Sequence, residues 1–254
     1  QSGIEVSDWH PQLAKVVDDL CIVRSMWTTD NDHGAEFQMH TGRHALDEQQ
    51  PTIGSWVSYG LGSMVDDLPV YVVLPDPRGI PAGGVANWSS AFLPPRHQGV
   101  ALRGQGEPIP NLFGPPGGDP AADRDGLDLL AAINREHLAS RPGDELLAAR
   151  IATYELAARM QTSVPRVLDL AGETRATQRL YWLDDPICGA FGRNCLLARR
   201  MLENGVRFVT INTFLTVFDE ITWDIHGSKP FTSIEGMRDI VAPMYDQAYS
   251  ALIE

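Results

Sequence analysis

Apolar and polar positions along this chain change period repeatedly. From His10 to Leu20, Leu13, Val16, Val17 and Leu20 recur at helical spacing, with Asp8 placed as an N-cap and Pro11 in the first turn. Leu20-Cys-Ile-Val-Arg-Ser25 then reads as a short buried strand. Thr52 stands where it would cap a helix carrying Ile53, Trp56, Val57 and Leu61. Pro69-Val-Tyr-Val-Val-Leu74 is the clearest strand, β-branched and aromatic, closed by Pro75-Asp-Pro77. Two helices follow later, one defined by Leu127, Leu130, Ala131 and Leu138, the other by Leu147, Ile151, Tyr154 and Ala158. Phe191, Cys195, Ala198 and Leu202 mark another, ended by the left-handed cap signal Asn204-Gly205. Val206–Ile211 is a strand, and a last helix starts near the capping-box pattern Thr232-Ser-Ile-Glu235. Pro243 inside that helix predicts a kink, or a start nearer Ala242.

Helices alternating with well-separated strands imply an α/β fold with a largely parallel central sheet between helices. Residues 76–120 break the pattern. They are rich in Gly and Pro and carry few periodic segments, so an ordered but irregular insertion is expected there. No linker or internal repeat divides the chain, and a single domain over 1–254 follows.

The net charge of −13 argues against a nucleic-acid partner. No apolar run is long enough for a membrane span. Cys21, Cys188 and Cys195 are too few and too scattered for a disulfide framework, and read as buried thiols. The chain shows no signal-peptide pattern, Gln1-Ser-Gly3 resembles mid-protein sequence, and Tyr249–Glu254 stops inside an apolar-periodic segment. The domain is therefore expected to be incomplete at both ends, with uncovered apolar faces that make the isolated piece marginally stable or prone to aggregate.

Two polar segments carry candidate chemistry. Asp30-Asn-Asp-His33 follows the expected strand ending near Ser25, where α/β proteins gather their sites, and is followed by His40 and His44. It suits a metal or anion site at a helix start, or plain N-capping. His33 and His40 lie two helical turns apart, about 10 Å, too far to share one ion, which favours His33. In Trp223-Asp-Ile-His-Gly227, Asp224 and His226 are two apart, so in extended backbone both point the same way and suit a metal. The same triplet also fits a solvated turn closed by Gly227.

Together these segments resemble a known family. Leu13 through Leu61, with Leu20-Cys-Ile-Val-Arg-Ser-Met26 and Thr41-Gly-Arg43, is similar to the uncharacterised sulfatase-like domain of unknown function 1501, placed in the alkaline phosphatase superfamily. Asn87-Trp-Ser-Ser-Ala-Phe-Leu-Pro94, His97-Gln-Gly99, Asp184-Asp-Pro-Ile-Cys188, Phe191 through Arg200 and Trp223 through Gly227 match it as well. The resemblance implies an alkaline-phosphatase-like fold and a metal-dependent hydrolase of phosphate- or sulfate-type esters. Its cofactor would be a divalent metal, zinc first, with calcium, magnesium or manganese as alternatives. Asp224 and His226 would be metal ligands, and Asn31, Asp32 and His33 would form the catalytic stretch holding the nucleophile. The substrate would be a small-molecule or polysaccharide ester, and the protein exported or periplasmic. Further ligand blocks of the family would lie before Gln1 and after Glu254. No Cys or Ser stands in the setting from which formylglycine is made. The alternative is a non-catalytic binding protein on a degenerate phosphatase or sulfatase scaffold, for sulfated polysaccharide or a protein partner.

Overall fold

The computed structural model describes residues 3–30, 34–44, 46–77, 81, 83–110, 112, 119–213 and 220–254. Its centre is strand β1 (Tyr71–Leu74), flanked by β2 (Val100–Ala101) and β3 (Phe208–Ile211) in the order β2-β1-β3, all parallel. Val72 pairs with Val100 and Val209, and Leu74 with Ile211. The mixed α/β class and parallel sheet agree with the alternating pattern.

Because successive side chains on a strand point to opposite faces, β1 serves two cores. Val72 and Leu74 join Leu102, Val164, Leu197 and Met201, while Tyr71 and Val73 pack with Trp88. Helices α1 (Leu13–Val16), α2 (Gly34–Thr41) and α3 (Ile53–Leu61) precede the sheet. Between β2 and β3 come α4 (Pro120–Ala139), α5 (Glu145–Leu168), α6 (Arg175–Leu180) and α7 (Gly189–Glu203). The chain ends with α8 (Ile234–Gly236) and α9 (Ala242–Ile253), joined by a π-turn over Met237–Val241. Pro243 explains that join. It lacks an N–H and crowds the carbonyl four residues back, and the wider π-turn takes up the misfit.

The α7 end behaves as its sequence predicts. Gly205 sits at φ +94°, with Val206 N–H donating to the Met201 carbonyl and Gly205 N–H to that of Leu202, the two bonds of a Schellman cap. At its other end α7 presses on α6. A Cβ at Gly192 would stand 1.8 Å from the Tyr181 carbonyl oxygen, so only glycine fits.

Several expectations are corrected. Leu20–Ser25 forms no strand, and Ile22 and Val23 are exposed. An apolar run becomes a strand only beside a neighbour that offers its backbone, and no described strand pairs with this run. Cys21 is exposed rather than buried, whereas Cys188 and Cys195 are buried. The helix from His10 shortens to α1 and a 3-10 turn at Val17–Asp19. Its cap is not Asp8 but Asp246 of α9, whose carboxylate accepts from Gln12 N–H and, at 2.7 Å, from Leu13 N–H. In the proposed capping box Ser233, not Thr232, caps α8, accepting from Gly236 N–H. The described residues of the 76–120 region supply β2 and the buried Trp88.

Candidate functional site

Asn31, Asp32 and His33 lie outside the described residues. Thr28 Oγ1 and Thr29 Oγ1 both donate to Gln38 Oε1 of α2, at 2.5 and 3.1 Å, folding the loop onto that helix. Asp30 Oδ1 lies 2.6 Å from His44 Nε2, closing the polar run end to end. Leu46 N–H donates to His44 Nδ1, so the neutral ring carries its proton on Nε2 and gives it to Asp30. Both His44 nitrogens are thereby committed, and the residue serves as a strut. Burial pushes the His40 imidazole below its ordinary value. Glu36 Oε1 accepts from Asn87 Nδ2, tying α2 to the turn that holds Trp88.

A cleft of about 620 Å³ opens on this segment, lined among others by Trp27, Gln38, His40, Arg43, His44 and Trp56. Trp27 is 77% exposed. The cleft therefore offers indole faces beside a guanidinium, a combination suited to flat or ring-shaped anionic ligands.

The Trp223–Gly227 segment is held in a tight loop. Ile225 bridges to Thr232, Thr232 N–H donates to the Asp224 carbonyl, and Gly227 closes the turn at φ +84°. Thr222 Oγ1 accepts from Asp224 N–H. His226 Nε2 lies 2.9 Å from Asp224 Oδ1, and the His226 ring stacks on Phe231 with centroids 3.9 Å apart. Trp223 meets Tyr245 of α9 edge-on. The two side chains do converge, though through a loop and one isolated bridge rather than a strand.

Among the described residues no group of three or more His, Cys, Asp or Glu is placed to hold a metal. Asp224 and His226 thus contribute two donors and the described residues no third. Neither residue lines the cleft beside α2.

Sequence reasoning missed a second cavity. It has a volume of about 510 Å³ and lies where the parallel strands end: Asp76 follows β1, Gln105 follows β2, and Asn212 and Thr213 follow β3. Pro186, Ile187, Ala190, Phe191 and Asn194 form one wall, and Glu220 and Ile221 lead from it along the chain toward Asp224. The available signal was positional, since ligand crevices of α/β sheets sit at strand carboxyl ends.

A buried Ser58–His97 pair resembles a nucleophile with its base. Ser58 Oγ lies 2.9 Å from His97 Nδ1, but Arg96 Nε donates to His97 Nε2, leaving Nδ1 to carry the proton. Histidine then donates to serine and does not activate it. Burial, and then the neighbouring Arg96, lowers the His97 pKa, which further disfavours its charged form.

At the end of the block Phe191–Arg200, Arg199 and Arg200 tie α7 to Glu173. Arg200 Nη1 donates to Glu173 Oε1 at 2.7 Å and Arg199 Nη2 to Oε2 at 3.0 Å. Burial alone would raise the Glu173 pKa, but its bonds to Arg200 and Arg199 hold it below the ordinary value.

No curated protein and no solved structure matches this chain. A family profile does, over residues 1–254, and the chain belongs to the family described as "Protein of unknown function (DUF1501)".

Proposed function

We propose that this chain is a metal-dependent hydrolase of phosphate- or sulfate-type esters on an alkaline-phosphatase-like scaffold, acting on a small-molecule or polysaccharide ester in an exported protein. The Asp224–His226 pair carries this reading. Two donor atoms bound to one ion at ~2.1 Å lie ~3.0 Å apart at a right angle and ~3.4 Å apart in a tetrahedron. The observed 2.9 Å fits one edge of an octahedral shell. The oxygen-plus-imidazole donor set suits a divalent transition metal.

When bound, the cation would polarise the ester oxygens and lower the cost of negative charge developing there. The chain's own residues set the geometry. Phe231 fixes the imidazole plane, while Thr222 and Thr232 hold the Asp224 backbone. The nucleophile is assigned to the Asn31–His33 stretch, next to Asp30. The test is hydrolysis of bis(4-nitrophenyl) phosphate and 4-nitrophenyl sulfate with and without added metal. Metal-dependent turnover that falls at least ~100-fold in Asp224→Ala supports the reading, and turnover indifferent to both chelator and substitution sinks it.

The cleft beside α2 favours a second reading, a non-catalytic binder of sulfated polysaccharide. Trp27 and Trp56 offer stacking faces and Arg43 a sulfate partner. Binding of a sulfated glycan that survives chelation and His226→Ala would favour it, and strict metal dependence would count against it.

A further inference from the structure

Helix α3 reverses the usual arrangement of a surface helix. Its small residues Gly54, Ser55 and Ser58 are buried, while Ile53, Trp56 and Tyr59 face solvent, Trp56 45% and Tyr59 55% exposed. These three are spaced by three, along one side of the helix. Trp56 meets Tyr59 edge-on with ring centroids 6.0 Å apart and Phe92 at 5.9 Å, and Tyr59 meets His97 at 5.4 Å. Phe92 is 60% exposed. The residue before it, Ala91, holds φ +45°, a left-handed conformation costly for a side chain with a Cβ. Its N–H donates to Ser89 Oγ at 3.0 Å. Phe92 is thus presented to solvent from a strained turn.

This row of rings continues the cleft beside α2, because Trp56 belongs to both. A guanidinium stands at each end. Arg43 lines the cleft, with Asp47 as the one carboxylate of the described lining. Arg96 is exposed and donates from Nε to His97 Nε2 at 3.2 Å. That bond places it at the Tyr59 end of the row and leaves its Nη groups for a ligand. A sugar ring lays its apolar C–H face on an aromatic ring, and a sulfate pairs with a guanidinium. Aromatic rings between separated cations therefore match a chain of sugars with anions along it. An apolar partner protein would leave both guanidiniums unanswered, and a lipid surface would not enter the cleft.

We propose that a sulfated polysaccharide chain runs from the cleft beside α2 over Trp56 to Phe92 and Tyr59, with sulfates at Arg43 and Arg96. Several consecutive sugars are held, rather than one terminal unit. This track rests on the glycan-binding reading of the cleft and extends it over the outer row, so the two fail in different ways.

Chondroitin sulfate oligosaccharides from disaccharide to octasaccharide, titrated by calorimetry into the 254-residue chain at pH 7 and low salt with chelator present, test it. Affinity is expected to rise at least about tenfold from the shortest to the longest. Phe92→Ala, Tyr59→Ala and Arg96→Gln should each remove several-fold of that gain and leave disaccharide affinity unchanged, whereas Trp27→Ala should weaken every length. The desulfated octasaccharide should bind about tenfold more weakly than the sulfated one, and added salt should narrow the difference. Should Tyr59→Ala fail to fold, Phe92→Ala decides, with its thermal midpoint as the control. Disaccharide binding with no gain on lengthening overturns the track and leaves the cleft reading standing. No binding at any length overturns both. Equal binding of the desulfated chain overturns the roles of Arg43 and Arg96. Phe92-dependent binding to phosphatidylglycerol vesicles, without binding of any oligosaccharide, assigns the row to a lipid surface instead.

Discussion

His226 Nε2 stands 2.9 Å from Asp224 Oδ1, across one intervening residue. With a proton between them the contact is a hydrogen bond, and with a cation it is one edge of a coordination shell. These states exclude one another, so a cation bound at Nε2 must shift the neutral imidazole's proton to Nδ1. Added Zn²⁺ is expected to change the His226 tautomer, which ¹⁵N NMR of the ring nitrogens reads. An Nε2–H signal that persists at saturating metal would mean the cation does not bind at this nitrogen.

The tie between Asp246 and the α1 backbone is a folding contact spanning the chain. Its carboxylate is 4% exposed and accepts from Gln12 N–H and Leu13 N–H. Asp246→Ala leaves those amides without their partner and should cost about 1–3 kcal/mol, seen as a lower urea midpoint. Proteolysis should reach residues 3–20 first in the variant. An unchanged midpoint would show that the tie adds nothing.

Glu173 is the shared acceptor of Arg199 and Arg200. Glu173→Gln removes the charge that both guanidiniums share at a side chain only 9% exposed, leaving Arg199 with Glu203 as its remaining carboxylate. A loss of about 1–3 kcal/mol is expected, with no change in metal affinity, because the cluster joins α7 to the segment before α6. Combined with Arg200→Met, the loss should be less than additive.

Acid should destabilise the fold in two stages. His40 and His97 have folded pKa values below the ordinary 6.5, so the unfolded chain takes up protons first, and stability drops as pH falls below about 6.5. Glu173 and Asp185 have folded values below the ordinary 4.5 and 3.8, and their contribution is present above those values and lost as pH falls through the lowered ones. For Asp185 the cause is the Cys188 and Ile187 amides that its carboxylate accepts. Thermal midpoints at pH 7.5, 6 and 5 should fall, and His97→Gln should flatten the first stage. A midpoint constant from pH 7.5 to 5 would contradict this.

The outer face of α4 is apolar and open to solvent: Leu129 is 63% exposed and Ile133 54%. Patches of this kind drive association. The chain should self-associate with rising concentration in analytical ultracentrifugation, and Leu129→Glu with Ile133→Lys should reduce it. A concentration-independent monomer would contradict this.

What could be read in advance depended on how local each cause is. β1, β3, α7 and its Asn204-Gly205 cap were legible because neighbouring residues decide them. Leu20–Ser25 misled because strand pairing needs a partner elsewhere, and Val100–Ala101 escaped because two residues show no period. The α1 cap comes from Asp246, 234 positions away, which no local pattern can signal. Asp224 and His226 were legible as a pair by their spacing, although a loop closed by Thr232 holds them rather than a strand. The strand-end cavity draws on every strand, α7 and α9, so it emerges only on folding.

Titration of Zn²⁺, Mn²⁺ and Mg²⁺ into the metal-free chain, beside Asp224→Ala and His226→Ala, tests the central claim most directly. One specific divalent site is expected, with affinity reduced at least ~100-fold in either variant while each keeps the wild-type unfolding midpoint within about 1 kcal/mol. No specific site in the wild-type chain, or wild-type affinity retained in both variants, would contradict the assignment of this pair as metal ligands.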